Sequence, residues 1–117
     1  MHNKIIAKES ENLAADYLSK HGYKILERNY RSVFGEIDII AKDKKTICFI
    51  EVKSRSSQKF GLPAEAIHLT KRKHMVNSAR SYLKDFNMSD ISARFDVISI
   101  IDGKLDLIKN AFDLNDI

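Results

Sequence analysis

Asp38, Glu51 and Lys53 are the residues of this chain best placed to do chemistry. Glu51-Val52-Lys53 ends the apolar run Ile47-Cys48-Phe49-Ile50. Successive strand residues point to opposite faces, so Glu51 and Lys53 share one face while Val52 turns away with Ile50 and Cys48. Asp38 stands among apolar neighbours in the preceding segment, Gly35-Glu36-Ile37-Asp38-Ile39-Ile40-Ala41. Charges that close to a core are costly unless paired or metal-bound. If the two segments form a hairpin, the carboxylates gather on one face with an ammonium beside them. Magnesium prefers oxygen donors and usually takes one or two carboxylates with waters and phosphate oxygens. Asp38 and Glu51 would supply the carboxylates, and the main-chain carbonyl of Val52 a third oxygen. Such an ion polarises a phosphodiester and activates a water. Lys53 would position that water or stabilise charge developing on the phosphoryl oxygens. Glu11 is a fourth candidate, because Ala14, Ala15 and Leu18 lie within about sixty degrees of it on a helical wheel. Glu36 shares a strand face with Asp38 and would join the site or steer its charge. Against this stands a plain ion pair of Glu51 with Lys53 on a wet sheet face, since E-x-K alone carries little information.

The elements that must position these residues are legible in outline. A helix is expected over 5–21, with Leu13, Ala14, Tyr17 and Leu18 as its apolar stripe and Gly22 as its stop. Strands are expected over 23–31, over 35–41, and through Ile47 to Lys53, the last two joined by the turn Asp43-Lys44-Lys45. A polar loop follows over 54–62, and Pro63 opens a short helical turn. Thr70 reads as the cap of a second helix whose apolar positions are Met75, Val76, Ala79, Tyr82, Leu83 and Phe86. Strands over 95–101 and 104–108 flank the hairpin turn Asp102-Gly103. The order is helix, three strands, helix, two strands, with no internal repeat and no linker.

The chain has 117 residues, the length of one domain with a real core. No apolar run reaches the ~20 residues of a membrane span, and no signal-peptide pattern opens the chain, so a cytoplasmic protein is expected. Cys48 is the single cysteine and reads as a small buried hydrophobe, which leaves no disulfide framework. The four histidines lack ligand spacing, so zinc is not expected. There is no Gly-rich phosphate loop and no serine-nucleophile turn. Phe60, in the polar loop, reads as core packing before base stacking. The net charge is +4, and its distribution is more informative. Lys53, Arg55, Lys59, Lys71, Arg72 and Lys73 follow one another against the single acid Glu65. Arg55, Lys59, Lys71, Arg72 and Lys73 are therefore the candidate contacts to a polyanionic backbone. Three basic residues at a helix start also oppose the helix dipole, which favours an anionic partner.

The segments Glu11-Asn12-Leu13-Ala14-Ala15, Arg28-Asn29-Tyr30-Arg31, Gly35-Glu36-Ile37-Asp38-Ile39-Ile40-Ala41, Phe49-Ile50-Glu51-Val52-Lys53-Ser54-Arg55 and Arg94-Phe95-Asp96-Val97 resemble the YraN family of small bacterial proteins. The resemblance covers nearly the whole chain. That family is similar to restriction-endonuclease-like nucleases of the PD-(D/E)xK type, especially archaeal Holliday-junction resolvases. It implies a single α/β domain over residues 1–117, with a mixed central sheet flanked by helices. It further implies a nuclease acting on DNA, branched or damaged, with magnesium or manganese as cofactor and a homodimer as the working unit. Carried over, Asp38 and Glu51 match the metal-binding acids, Lys53 the catalytic lysine and Glu11 the helical acid. Ile37 stands where the motif has proline, and Ser10 where glycine would precede Glu11. A non-catalytic nucleic-acid-binding module of the same fold, and a small protein-docking adaptor, are the alternatives.

Overall fold

The computed structural model describes residues 2–55, 69–88 and 90–112, with side chains from Lys8 onward. A helix, α1 (His2–Lys20), leads into three strands, β1 (Lys24–Ser32), β2 (Gly35–Asp43) and β3 (Thr46–Arg55). A second helix, α2 (Leu69–Asp85), precedes β4 (Ser92–Ile101) and β5 (Lys104–Phe112). The five strands form one sheet in chain order. Its pairs are antiparallel except β3 with β4, which run parallel. Parallel neighbours need a long crossover, and α2 lies within that connection. The result is an α/β architecture with a mixed central sheet and a helix against each face, in the element order expected.

The two faces are covered because β3 carries apolar residues at every position from Ile47 to Ile50, the pattern of a strand buried on both sides. Cys48 and Ile50 join Ile39, Ala41 and Ile98 under Ala14 and Leu18 of α1. Ile47 and Phe49 join Ile37, Ile40 and Phe95 under Met75, Val76, Ala79 and Tyr82 of α2. Burying one such Leu, Ile or Phe contributes about 1.5–3 kcal/mol. Cys48 is buried and unpaired, as expected.

Several local expectations are corrected. Leu13 is exposed, and the stripe of α1 narrows to Ala14 and Leu18, with Ser10 buried one turn earlier. Tyr17 stacks instead on His21, their ring centroids 4.0 Å apart. Phe86 lies beyond α2 and is half-exposed, resting on Tyr82. Thr70 falls inside α2. Ser54 and Arg55 continue β3 through pairing with Ile100 and Ile101, where a loop was expected. β5 runs on to Phe112, whose ring stacks on Phe95 and lies beneath the Arg72 guanidinium. Lys59, Phe60 and the turn at Pro63 lie outside the described residues.

An irregularity in β1 and β2 determines where Asp38 points. Ile37 packs toward α2, yet Ile39 packs toward α1, although residues two apart on a strand normally share a face. β1 does the same. Arg28 hydrogen-bonds Asn12 of α1 at 2.7 Å, whereas the Tyr30 ring meets Tyr82 of α2 edge-on at 5.3 Å. Asn29, between them, has φ 54°, a left-handed conformation that asparagine tolerates better than most residues. These changes of face in β1 and β2 lie side by side, flanked by the pairs Arg28 with Ile39 and Tyr30 with Ile37, and they leave the register unchanged from Glu27 to Ser32; the register shift of this pair lies earlier, between Ile25 and Glu27.

Candidate functional site

The ladder between β2 and β3 ends at the pair Ile39 with Ile50, and Asp38 and Glu51 are the next residues in that register. The two strands part at this point. The Val52 N–H donates instead to Asp38 Oδ2 at 2.8 Å, so the aspartate side chain takes over where the backbone ladder stops. The change of face at Asp38 thus sets its carboxyl against β3, beside Glu51. Burial pushes the Asp38 carboxyl up to about 8, and the hydrogen bond to Glu51 and the charge of that second carboxylate push the same way. The Val52 N–H and the more distant Lys71 ammonium act in the opposite direction. Two carboxyls thus crowd a desolvated site, where burial and like charge both disfavour ionisation of Asp38.

Glu51 is nearly buried, its side chain 7% exposed, on the α2 face as its parity with Ile47 and Phe49 requires. Its charge partner is Lys71 of α2, with Nζ 3.1 Å from Oε2. That approach lies off the line of a hydrogen bond, so among the described residues no hydrogen-bond donor is aimed at the buried Glu51 Oε2. Lys71 Nζ also reaches the main-chain oxygen of Glu36 at 3.5 Å. Lys53 is half-buried two residues along β3, on the face of Glu51, and makes no ion pair with it.

Glu11 and Glu36 form a second, adjoining group. With the Asn29 amide oriented to donate, its Nδ2 gives hydrogen bonds to Glu11 Oε1 at 2.7 Å and Glu36 Oε1 at 3.1 Å. The reverse orientation would set the amide oxygen against acceptors. Glu11 is raised above the ordinary carboxylate value, first by burial and then by the charge of Asp38, while Arg28 opposes the shift. Glu36 also pairs with the exposed Arg31 at 3.4 Å. So Asp38 and Glu51 come together, Glu11 lies near enough to feel Asp38, and no cage of three or more acid, histidine or cysteine side chains forms among the described residues. Asn29 and the Glu51–Lys71 pair escaped the reading of the sequence. Asparagine within Arg28-Asn29-Tyr30 was a usable signal, because asparagine is depleted from strands unless the backbone turns there.

Of the candidate basic contacts, Lys71 is committed to Glu51, Lys73 is exposed, and Arg72 and Arg55 are half-buried. Arg72 lies with its guanidinium 5.6 Å from the Phe112 ring centroid. Lys59 is outside the described residues. The anion demanded by the basic start of α2 is thus met, for Lys71, within the chain.

A different charged cluster occupies the α1 face near the β2–β3 turn. Arg94 Nε donates to both carboxylate oxygens of Asp96, at 3.0 and 3.1 Å. Arg94 Nη2 donates to Asp43 Oδ2 at 3.0 Å and to the Tyr23 hydroxyl oxygen at 2.8 Å. The Asn110 N–H donates to Asp96 Oδ1 at 2.8 Å. Burial, ahead of the nearby acids, pushes the Tyr23 hydroxyl up to about 12 despite Arg94.

Residues 10–100, which contain every side chain named in the two clusters, match the uncharacterised protein family UPF0102. A UPF0102 protein of Persephonella marina is 46% identical over 115 residues, spanning 98% of this chain and 99% of its own. Another, from Caldicellulosiruptor bescii, is 47% identical over 119 residues, spanning 96% of this chain and 100% of its own. A third, from Thermodesulfovibrio yellowstonii, is 50% identical over 107 residues, spanning 92% of this chain and 95% of its own. With matches of this extent in both directions, the chain belongs to the UPF0102 family.

Proposed function

We propose that this chain is a restriction-endonuclease-like, metal-dependent nuclease that hydrolyses DNA phosphodiester bonds. The observation that carries the reading is the meeting of Asp38 and Glu51 where β2 and β3 part, with a buried Glu51 oxygen that no hydrogen-bond donor among the described residues satisfies. A mixed sheet with helices on both faces and a parallel β3–β4 pair supports the fold assignment.

The donor set fits a small hard cation. Two carboxylates crowded enough to retain a proton gain most when a divalent ion replaces it. Asp38, Glu51 and the main-chain oxygen of Val52 would hold magnesium, or manganese in its place. Bound there, the ion would supply Lewis-acid polarisation of the phosphate and a more acidic water. The protein's own part is positional. The Val52 N–H fixes Oδ2 of Asp38 and so holds its carboxyl beside Glu51. Lys53, on the Glu51 side of β3, orients the attacking water or stabilises phosphoryl charge. Glu11, held by Asn29, keeps further negative charge beside Asp38 and favours a cation over a proton. Lys71 balances Glu51 in the meantime, and Lys73 with Arg55 and Arg72 would meet the DNA backbone.

The test is cleavage of labelled linear, single-stranded, flapped and four-way-junction DNA in magnesium or manganese, by wild type, Asp38→Ala and Lys53→Ala. Cleavage by wild type alone is expected. Salt-sensitive DNA binding by all three proteins without any cleavage would replace the nuclease with a non-catalytic binding module.

A further inference from the structure

The lysines around the hairpin turn between β2 and β3 are placed against local preference. Asp43 pairs with Thr46, so Lys44 and Lys45 form the tip. Lys44 has φ 57°, a left-handed value that glycine, asparagine or aspartate adopts at least cost. The β4–β5 turn meets the same demand with Asp102 and Gly103, at φ 50° and 80°. Lys42 lies directly opposite Lys24 in the β1–β2 ladder, and like charges so placed repel. Turn and strand stability alone would favour other residues here.

These ammoniums are also left without counter-charge. The acid among them, Asp43, is held by Arg94 at 3.0 Å, with Lys109 at 3.9 Å. Glu27, the next acid along β1, adds after burial to the upward shift of the Tyr82 hydroxyl in α2. Among the described residues no ion pair reaches Lys24, Lys42, Lys44 or Lys45, whereas Lys20, Arg31, Lys71 and Arg94 are each paired. The four carry a charge equal to the net +4 of the whole chain. Lys42 and Lys45 lie within roughly 10 Å of each other. Lys24, Lys44 and Lys45 are exposed, and Lys42 is half-buried. Thr46, beside the tip, is five residues from Glu51, roughly 17 Å along β3. On the Glu51 face, Ile40, Ile47 and Phe49 fill that interval and lie under α2. The lysine rim therefore offers anions a surface separate from the candidate site.

We infer that Lys24, Lys42, Lys44 and Lys45 form a second polyphosphate-binding surface, which holds the backbone of nucleic acid without reading its bases. A compact charge on a flexible stem suits successive phosphates, whereas planar, bidentate recognition of carboxylates is the work of arginine. A membrane surface would ask for an apolar anchor beside the charges. None of the large exposed apolar side chains among the described residues belongs to this turn or to the strand ends that flank it. The inference goes beyond the nuclease reading and stands whether or not the chain cleaves.

The experiment uses the full chain in chelator and a labelled DNA duplex of about 20 base pairs, with affinity read by anisotropy from about 50 to 200 mM salt. Lys24→Gln/Lys44→Gln/Lys45→Gln is compared with wild type and with Lys8→Gln/Arg80→Gln/Lys104→Gln, which removes the same charge from exposed positions elsewhere. The rim variant loses a repulsive pair, so its Tm should be no lower than that of wild type. Each lysine that neutralises a duplex phosphate contributes about 0.9 to the slope of log K against log salt. The rim variant should lose about two to three from that slope and bind at least about tenfold more weakly, while the control keeps most of both. A duplex of unrelated sequence should bind wild type within about threefold of the first, since phosphate contacts carry no sequence information. Rim-dependent binding of this DNA, or of the same sequence as RNA duplex, supports the surface and identifies which backbone it takes. Equal slopes and affinities for wild type and rim variant would overturn it. An equal loss in the control would overturn it too, by making the effect one of net charge. So would tighter, rim-dependent binding to anionic phospholipid vesicles, which would assign the lysines to a membrane. Magnesium-dependent cleavage with no change at the rim defeats this inference alone, and rim-dependent binding without cleavage defeats only the nuclease.

Discussion

Replacing Asp38 by Asn should change how stability depends on pH, in a direction that separates a functional site from an ordinary ion pair. The Asp38 carboxyl moves from an ordinary 3.8 to about 8 through burial and through its hydrogen bond and repulsion with Glu51. Between those values the folded chain holds a proton that the unfolded chain has released. Stability from this group is therefore complete below about pH 4 and is lost as pH rises through 8. The slope is at most about 1.4 kcal/mol per pH unit, or about 4 kcal/mol between pH 5 and pH 8. For a chain of this length that corresponds to a fall in Tm on the order of 15 °C. Asparagine keeps an acceptor for the Val52 N–H and cannot ionise. Thermal unfolding by circular dichroism in chelator, across this pH range, should show the wild-type Tm falling against that of Asp38→Asn and the variant more stable at pH 8. Magnesium at pH 8 should raise the Tm of wild type and leave the variant unmoved, because only a site with both carboxylates binds it. Parallel Tm curves for the two proteins would refute the reasoning, since the carboxyl would then carry no stored cost.

Other outcomes are expected from the same geometry. Lys71→Met removes the cation now 3.1 Å from Glu51 Oε2 and should tighten manganese binding several-fold by titration calorimetry; unchanged or weaker binding would place Lys71 outside the site. Asn29→Gly and Asn29→Ala both lose the amide between Glu11 and Glu36, but only alanine is strained at φ 54°, so urea unfolding should find it the less stable by about 1 kcal/mol. Arg94→Met leaves the fully buried Asp96 without its partner and should cost about 3–5 kcal/mol in the same assay.

The sequence carried the fold where apolar spacing was strong. The continuous run Ile47 to Ile50 announced a strand buried on both faces, and Met75, Val76, Ala79 and Tyr82 announced the inner face of α2. It failed where tertiary contacts decide. Leu13 and Phe86 satisfy helical periodicity but lie past the edge of the surface that the sheet can cover. Ser54 and Arg55 look like loop residues, and only the parallel partner β4 makes them strand. The acids of the candidate site were visible as types out of place. The meeting of Asp38 with Glu51 followed from the expected hairpin, but the parting of Glu36 from Asp38 did not, because strict alternation would put those two together. The change of face at Asn29 and Asp38 sends Glu36 to Glu11 and Asp38 to Glu51.

The two acidic clusters, taken together, argue for a cation site more strongly than either does alone. The fold can give a buried carboxylate a well-aligned partner, and does so at Asp96 with Arg94, whose planar guanidinium also serves Asp43 and Tyr23 at 2.8–3.1 Å. Arginine suits that task because its donors are fixed in a fork and its charge is permanent. On the other face the same chain leaves Asp38 and Glu51 to crowd each other, and among the described residues offers Glu51 one flexible lysine that misses hydrogen-bond alignment. A structural role would be served better by another arginine, or by apolar residues of similar size. A pair held short of neutrality beside an exchangeable ammonium is costly to folding and suited to taking up a divalent ion, which is why the cost at Asp38 is the quantity to measure.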